Sequence, residues 1–310
     1  MRNILIGNGL SISISTSFSY SSLRALASDD LSPAVDRLFN QLGTDDFEHL
    51  LRKVQDARDV IEAITDGQVI VSQSISEEIK SKLIEAIRKT NPSHPMSHGL
   101  DPQALNRALS EYNKVFTTNY DIYMYWARKG NEGFNIIDFF FNSYFDRNNV
   151  DLRGRHAIYF LHGALFIFEE ENKVIKIGKG EFSTLDEAIE DRIVSQNSFP
   201  LFISEGSSEE KLSNIKKNEY LSFCFDNFRA VTGELDVYGH GLNPDIDNHI
   251  VSAIVDSGIE VIRYFQYKLG EMSDGEKAHL QTTLNSRLKR EVVIYDASEH
   301  NLSKWSVFDF

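Results

Sequence analysis

The chain has 310 residues, of which 41% are hydrophobic, so it is long enough for one large domain with a sizeable core or for two smaller ones. Its net charge of −14 argues against a broad basic surface for nucleic acid or an anionic membrane, but leaves room for a local phosphate pocket. The single cysteine, Cys224, excludes an internal disulfide and a cysteine-based zinc site.

The sequence shows no targeting or membrane segment. The N-terminal apolar run Ile4–Ile6 is too short for a signal peptide. No other run approaches the roughly 18 apolar residues of a membrane span. We therefore expect a soluble, cytoplasmic protein that neither binds nucleic acid directly nor enters a membrane.

The first predicted element is a buried strand over Ile4–Ile6 that leads directly into Gly7-Asn8-Gly9. The Ser/Thr-rich segment Ser11–Ser22 follows. Because apolar side chains interleave its serines, we expect an ordered loop that folds over something. Apolar residues at helical spacing then predict a mostly helical insertion over about residues 32–112.

The second predicted strand, Val115–Thr118, stops abruptly at the polar residues Asn119 and Asp121. The carboxyl ends of strands in an open α/β sheet are where ligands bind, and an amide and a carboxylate there could hold a sugar. Equally, both residues could cap the next helix. The local pattern leaves the two interpretations open.

From residue 157 onward, predicted strands alternate with helices. The strands are 157–161, a hairpin of 165–168 with 174–177, then 201–204, 235–238, 259–265 and 292–295. Four helices are predicted in this region. The first follows a capping box at Thr184, and the second follows a capping box at Ser207 and runs to about Phe228. The other two cover residues 250–257 and 273–288. This alternation predicts a single α/β domain over 1–310 with a doubly wound, mostly parallel sheet and a C-terminal helix–strand extension at about 270–310.

Four predicted strands end in unusual residues. Because the carboxyl ends of parallel strands share one edge of the sheet, we expect these four segments to converge. They are Gly7-Asn8-Gly9, Asn119 with Asp121, His162-Gly163, and Gly239-His240-Gly241.

Each segment alone is a weak signal. Gly7 and Gly9 could expose N–H groups to a phosphate, but the turn lacks a complete dinucleotide or Walker motif. His162 could act as a general base near neutral pH, or be a satisfied core histidine. His240 could lie in a plain turn, and Asp247 could contact a ribose hydroxyl or cap a helix starting near Asn248.

A metal site is a competing hypothesis. His240, Asp247 and His249 lie close in sequence, and His94 and His98 are four residues apart. Prolines disrupt a helix at the latter pair, and neither set has a diagnostic ligand spacing. We therefore expect no metal.

Together these segments resemble the sirtuin-like superfamily of bacterial NAD-consuming proteins, which implies a Rossmann-like fold. Within this superfamily, the chain is more closely similar to a standalone bacterial family of unknown function, and this resemblance extends to about residue 265. It is more distantly similar to the abortive-infection phage-resistance family. The superfamily motifs stand here as Gly7-Asn8-Gly9-Leu10-Ser11, Thr117-Thr118-Asn119-Tyr120-Asp121, Leu161-His162-Gly163 and Gly239-His240-Gly241-Leu242. The closer family matches at Asp45-Asp46-Phe47-Glu48, Tyr125-Trp126, Tyr159–Ala164, Pro200–Gly206 and Asp247-Asn248-His249-Ile250.

The resemblance implies catalytic roles for three residues. Asn119 would orient the nicotinamide ribose or the attacking water, and Asp121 would position the carboxamide or a hydroxyl. His162 would act as a base on water or on a ribose hydroxyl. The implied NAD-binding residues are Gly7, Asn8, Gly9 and Ser11 at the pyrophosphate, Phe18 (or Tyr20) over the nicotinamide, Thr118, and Gly239, His240, Leu242 and Asp247 at the adenosine half.

The resemblance also implies an activity. Deacetylating sirtuins carry a four-cysteine zinc ribbon, which a chain with only Cys224 cannot build. We therefore expect an NAD hydrolase that releases nicotinamide and ADP-ribose without a metal, in anti-phage defence by NAD depletion. Its activity would depend on a trigger or on assembly, as a homo-oligomer or with a partner protein encoded nearby, such as an ATPase. The alternative is a non-catalytic sensor or assembly subunit that binds NAD or ADP-ribose.

Overall fold

The computed structural model describes residues 1–65, 73–91, 97, 99–130, 136–150, 156–171, 173–196, 198–203 and 207–305. Within these ranges the chain forms two sheets and the helices that cover them. The strands, in chain order, are β1 Arg2–Ile6, β2 Lys114–Thr117, β3 Phe140–Phe141, β4 Tyr144–Phe145, β5 Ala157–Phe160, β6 Gly163–Glu170, β7 Lys173–Lys176, β8 Pro200–Phe202, β9 Thr232–Tyr238, β10 Gly258–Gln266 and β11 Val292–Asp296.

The main sheet has six strands in the order β11–β10–β9–β1–β2–β5, and every neighbouring pair is parallel. Its central strand β1 is buried on both faces, with Ile4, Leu5 and Ile6 fully inaccessible. Such continuous apolar strands are typical of parallel sheets covered by helices on both sides. The predicted α/β class with a parallel sheet is confirmed.

The predicted hairpin of residues 165–177 also forms, as β6 with β7. It does not join the parallel sheet. Together with β3, β4 and β8 it builds a second, antiparallel sheet in the order β3–β4–β7–β6–β8. The predicted strand 201–204 corresponds to β8, and Ser204 lies outside the described residues.

The predicted helices occur at close to the expected positions, and α3 to α6 fill the predicted insertion at 32–112. None of the helices in the described ranges combines the length and apolar composition that a membrane span requires. The helices are α1 Gly9–Ile14, α2 Tyr20–Ala27, α3 Pro33–Leu42, α4 Phe47–Ile64, α5 Gln73–Thr90, α6 Pro102–Leu109, α7 Tyr123–Lys129, α8 Leu185–Val194, α9 Ser208–Lys217, α10 Glu219–Arg229, α11 Pro244–Asp256 and α12 Asp274–Leu288.

Two predictions of local structure were wrong. The segment Ser11–Ser22 is largely helical rather than a loop, since Ser19 caps α2 by accepting the backbone N–H of Ser22. The helix predicted from Ser207 to about Phe228 is divided into α9 and α10 at Asn218. The Asn218 side chain accepts two backbone N–H groups and so starts a new helix.

The start of α11 also differs from the prediction. Its N-cap is Asn243, whose side chain accepts the backbone N–H of Asp245, and Pro244 follows as the first helical residue. The helix is kinked at Asp247, which has non-helical backbone angles (φ −128°, ψ 39°), so a second helical segment starts at Asn248, as predicted. The Asp247 carboxylate pairs with Lys211, and the backbone N–H of His249 donates to Ser208 instead.

Candidate functional site

The four unusual strand ends meet as expected. Strands β9, β1, β2 and β5 are consecutive in the main sheet, and the residues that follow them border one cavity of about 400 Å³. Ligand sites in proteins are commonly of this size and position. The predicted site residues that line it are Asn8, Gly9, Phe18, Thr118, Asn119, Asp121, His162, Gly239, His240, Leu242 and Asp247.

The glycine turn packs against the protein itself. Gly7 donates its N–H to Tyr238 and Gly9 donates to Gly239, so neither group is free for a pyrophosphate. A Cβ on Gly7 would lie 2.5 Å from the Gly239 carbonyl oxygen, and a Cβ on Gly9 would lie 2.6 Å from the Gly239 Cα. Close backbone packing therefore explains both glycines. The N–H groups on which the phosphate prediction depended thus already have backbone partners, while Asn8 and Gly9 still line the cavity.

Ser11 was predicted to bind the cofactor, but it lies behind the cavity wall, fully buried. Its hydroxyl lies 2.5 Å from Asp121 Oδ2 and 2.8 Å from Asn119 Nδ2. Because a carboxylate can only accept, the Ser11 hydroxyl donates to Asp121 and accepts from the Asn119 amide. Ser11 thereby fixes which way the Asn119 amide faces.

This orientation leaves Asn119 Oδ1 without a hydrogen-bond partner in the described part of the chain. The side chain is 4% exposed and lines the cavity. An unpartnered buried acceptor is costly unless a ligand or water completes it. Asn119 therefore has the geometry of a ligand-contacting residue.

Asp121 combines the two roles that the sequence left open. Its Oδ1 accepts the backbone N–H of Tyr123 at 2.8 Å, at the start of α7, while Oδ2 accepts from Ser11. Burial raises the pKa of the Asp121 carboxyl, and these two hydrogen bonds oppose the rise. The carboxyl group both organises the turn and borders the cavity.

His162 borders the cavity and is paired with a residue 87 positions away. Its Nε2 lies 2.8 Å from Nε2 of His249, and the Nδ1 of His249 lies 3.0 Å from the Ser208 hydroxyl. Burial lowers the pKa of His162 well below its usual value, and the neighbouring Lys211 and His240 lower it further. Burial and His162 lower the pKa of His249 to about 2. Both imidazoles are therefore neutral at physiological pH.

Asp247 also lines the cavity, close to the histidine pair, and lies between two basic side chains. Its Oδ1 is 3.3 Å from Nζ of Lys211, and its Oδ2 is 3.7 Å from Nε2 of His240. His240 accepts the Leu242 N–H at Nδ1, so its proton is on Nε2 and faces Asp247. Burial lowers the pKa of His240, although Asp247 raises it in part.

The histidines were also tested as a metal site. The ligand atoms of His162, Asp247 and His249 lie within 4.8 Å of one another, whereas His94 and His98 lie outside the described residues. Tetrahedral zinc with bonds of about 2.0–2.1 Å would hold two nitrogens about 3.3 Å apart. The observed 2.8 Å matches a hydrogen bond instead, and Lys211 already supplies positive charge to Asp247.

The helices contribute an apolar wall to the cavity, of which only Phe18 was predicted from the sequence. The polar strand ends line the same cavity, so its lining is part apolar and part polar. Three further lining residues, Tyr120, Asn243 and Ile246, were not predicted from the sequence. Tyr20 also lines the cavity, and it was predicted as an alternative to Phe18. The wall residues are Ile12, Phe18, Leu23, Phe47, Leu83 and Ile87.

The chain matches, over residues 4–299, the family described as "Domain of unknown function (DUF4917)". No curated protein matches the sequence. The match spans the parallel sheet and every residue of the cavity, while the family description names no activity, substrate or partner.

Proposed function

The chain belongs to the DUF4917 family, and we propose that its cavity binds NAD and hydrolyses the nicotinamide–ribose bond to give nicotinamide and ADP-ribose. The observation that carries this proposal is the position of Asn119. Its Oδ1 is an oriented, unpartnered acceptor at the carboxyl edge of a parallel sheet, where three further polar strand ends converge.

The residue types suit this chemistry. Cleavage of the bond develops oxocarbenium-like positive charge on the ribose, as in other glycoside cleavages. Nicotinamide leaves as a neutral molecule, so no strong general acid is needed. The protein has to orient a water, stabilise positive charge and exclude bulk solvent. Asn119 Oδ1 would accept a hydrogen bond from the water or a ribose hydroxyl, and the Asp121 carboxylate would stabilise the charge.

The shape of the cavity supports a dinucleotide. The apolar wall around Phe18, with Tyr20, suits the flat nicotinamide ring. Gly241 lines both this cavity and a neighbouring cavity of about 440 Å³ beside α12. Arg287 of α12 holds this region by donating to the Leu242 carbonyl at 2.6 Å. The adenosine half would lie here, near Gly239, His240, Leu242 and Asp247.

The biological role is part of the same proposal. The strand-end motifs resemble those of sirtuin-like proteins, so we propose a sirtuin-like fold without a zinc ribbon. NAD depletion in anti-phage defence would follow, with activity released by homo-oligomerisation or by a partner protein. The motif resemblance alone supports this step.

Nicotinamide release from NAD tests the activity. Asn119→Ala should lower kcat by about 10²–10³-fold, because one preorganised polar contact in the reaction is lost. Asn106→Ala is the matched control. Asn106 is also fully buried with an unpartnered Oδ1, but it hydrogen-bonds to Ala127 and does not line the cavity. Equal turnover by the wild type and Asn119→Ala would remove the proposed site.

A second candidate, a non-catalytic NAD or ADP-ribose sensor, is favoured by the state of His162. Its Nε2 is occupied by His249 and its pKa is lowered, so it is a poor resting base. Isothermal titration separates the candidates. A protein that binds NAD tightly without releasing nicotinamide, also after assembly with its partner, is a sensor.

A further inference from the structure

Behind His162, three side chains form a chain of hydrogen bonds that leads away from the cavity. The Ser208 hydroxyl lies 2.6 Å from the backbone nitrogen of His249 and 3.0 Å from the Nδ1 of the same residue. The other ring nitrogen of His249 contacts His162 at 2.8 Å. All three side chains are at least 95% buried, although Ser208 and His249 also border a second cavity of about 240 Å³.

The position of each proton depends on the direction of the Ser208 hydrogen bond to Nδ1 of His249. A backbone N–H can only donate, so the Ser208 oxygen accepts from the His249 N–H, while the contact with Nδ1 admits either direction, because a hydroxyl can accept twice. We assign the Ser208 hydroxyl as the donor, because Nδ1 is the acceptor beside it in the described part of the chain. A neutral His249 then carries its proton on Nε2 and donates it to Nε2 of His162. A neutral His162 consequently carries its proton on Nδ1.

We infer that Ser208 and His249 are positioning residues that hold His162 as the Nδ1–H tautomer, so that His162 presents a hydrogen-bond donor to the cavity. His162 lines the cavity, and Nδ1 is the ring nitrogen that His249 leaves for a ligand. His162 would therefore donate to a ribose or water oxygen. This revises the role of resting base that the sequence suggested.

The charged and titratable neighbours agree with this assignment. Lys211 and His240 face the histidine pair and disfavour a second proton on either ring, while Asp247 partly offsets them at His249. His240 provides an internal reference, because the backbone N–H of Leu242 independently assigns its proton to Nε2. The rings of His162 and His240, which both line the cavity, should thus be opposite tautomers.

Nitrogen NMR of the full chain labelled with ¹⁵N-histidine tests the inference, since a protonated and a bare ring nitrogen have distinct shifts. His162→Gln and His249→Gln assign the signals. We expect His162 as Nδ1–H, and His249 and His240 as Nε2–H. In Ser208→Ala, His162 and His249 should shift toward their other tautomers while His240 stays unchanged. Ser208→Thr keeps the hydroxyl and should restore the wild-type pattern.

Ser257→Ala is the matched control, because Ser257 ends the helix that carries His249 and donates only to the Ile254 carbonyl. It should leave all three tautomers unchanged. The inference would be overturned if Nδ1 of His162 carried no proton in the wild type. It would also be overturned if the His162 and His249 signals of Ser208→Ala were the same as those of the wild type.

The kinetic readout rests on the proposed function, whereas the NMR readout does not. Ser208→Ala should lower kcat for NAD about tenfold with little change in KM, and Ser208→Thr should recover it. A shifted tautomer with unchanged kcat overturns the positioning role. If the spectra are as expected but the protein does not hydrolyse NAD, the tautomer assignment is supported and only the hydrolase proposal is contradicted.

Discussion

Two buried clusters in this protein each combine a carboxylate with histidine, but they differ in their relation to the cavity at the strand ends, which only the second cluster lines. The first, the Asp236 cluster, consists of Arg2, Tyr112, Asp236, Arg263 and His300. Asp236 is fully buried and accepts from Arg2 at 2.7 Å, from the Tyr112 hydroxyl at 2.9 Å and from Arg263 at 2.8 Å. The His300 ring completes it, with Nε2 2.8 Å from Tyr112 and Nδ1 accepting a backbone N–H.

The second, the cavity cluster, consists of Asn119, His162, His240, Asp247 and His249. The hydrogen bonds of this cluster are less complete than those of the Asp236 cluster. Asn119 Oδ1 has no partner in the described part of the chain, and Asp247 Oδ2 is 3.7 Å from Nε2 of His240. Buried polar groups are normally satisfied. The difference therefore separates a cluster that stabilises the fold from one that is prepared for a ligand.

The largest expected effect lies in the Asp236 cluster. Asp236→Ala removes the common partner of Arg2 and Arg263 and should lower the free energy of unfolding by about 3 kcal/mol, measured with urea. NAD binding per folded molecule should be unchanged. Asp247→Ala should show the opposite pattern, with a smaller loss of stability and a clear loss of NAD affinity. If both variants lost stability and NAD affinity to the same extent, the two clusters would not differ in their roles.

A smaller effect is expected at the turn that closes the cavity. Gly239 has φ +67°, and an added Cβ would lie 2.7 Å from the Leu10 nitrogen. Gly239→Ala should therefore lower the free energy of unfolding by about 2 kcal/mol. Gly43→Ala controls for backbone strain alone, since Gly43 has φ +60° with no atom within 4 Å of its Cβ position. An equal loss in both variants would mean that close packing is unimportant.

The last effect is negligible at neutral pH and develops only as the pH falls. Burial lowers the pKa of His300 to about 4, against 6.5 for the free side chain. Between these values the unfolded chain binds a proton that the folded chain does not, so stability is lost as the pH falls from 6.5 to about 4. In His300→Gln the slope of unfolding free energy against pH should decrease by up to about 1.4 kcal/mol per pH unit. Urea titrations at pH 7, 5.5 and 4.5 measure it, and an unchanged slope would contradict the assignment.

Much of the architecture could be predicted from the sequence, because it depends on local patterns. The strands ending at Gly7, Asn119, His162 and Gly239 were recognised from apolar runs that stop at polar residues, and parallel pairing then brought their ends together. The predicted capping boxes at Thr184 and Ser207 also formed.

The rest depends on contacts between distant residues. Nothing near His162 indicates that His249 occupies its Nε2, and the role of Ser208 follows only once α9 and α11 pack together. The packing of the glycine turn could not be predicted for a related reason. A Gly-x-Gly pattern is the same whether its N–H groups face a phosphate or, as here, the Gly239 turn.

The order of the strands has a consequence during synthesis. β1 is made first, but its neighbour β9 and the cavity residues 239–247 follow more than two hundred residues later. At translation rates of roughly 5–20 residues per second, β1 waits on the order of 10–50 s for this partner. A nascent chain therefore lacks one wall of its cavity for most of its time on the ribosome. The proposed NAD hydrolysis, which needs that wall, could not take place during this interval.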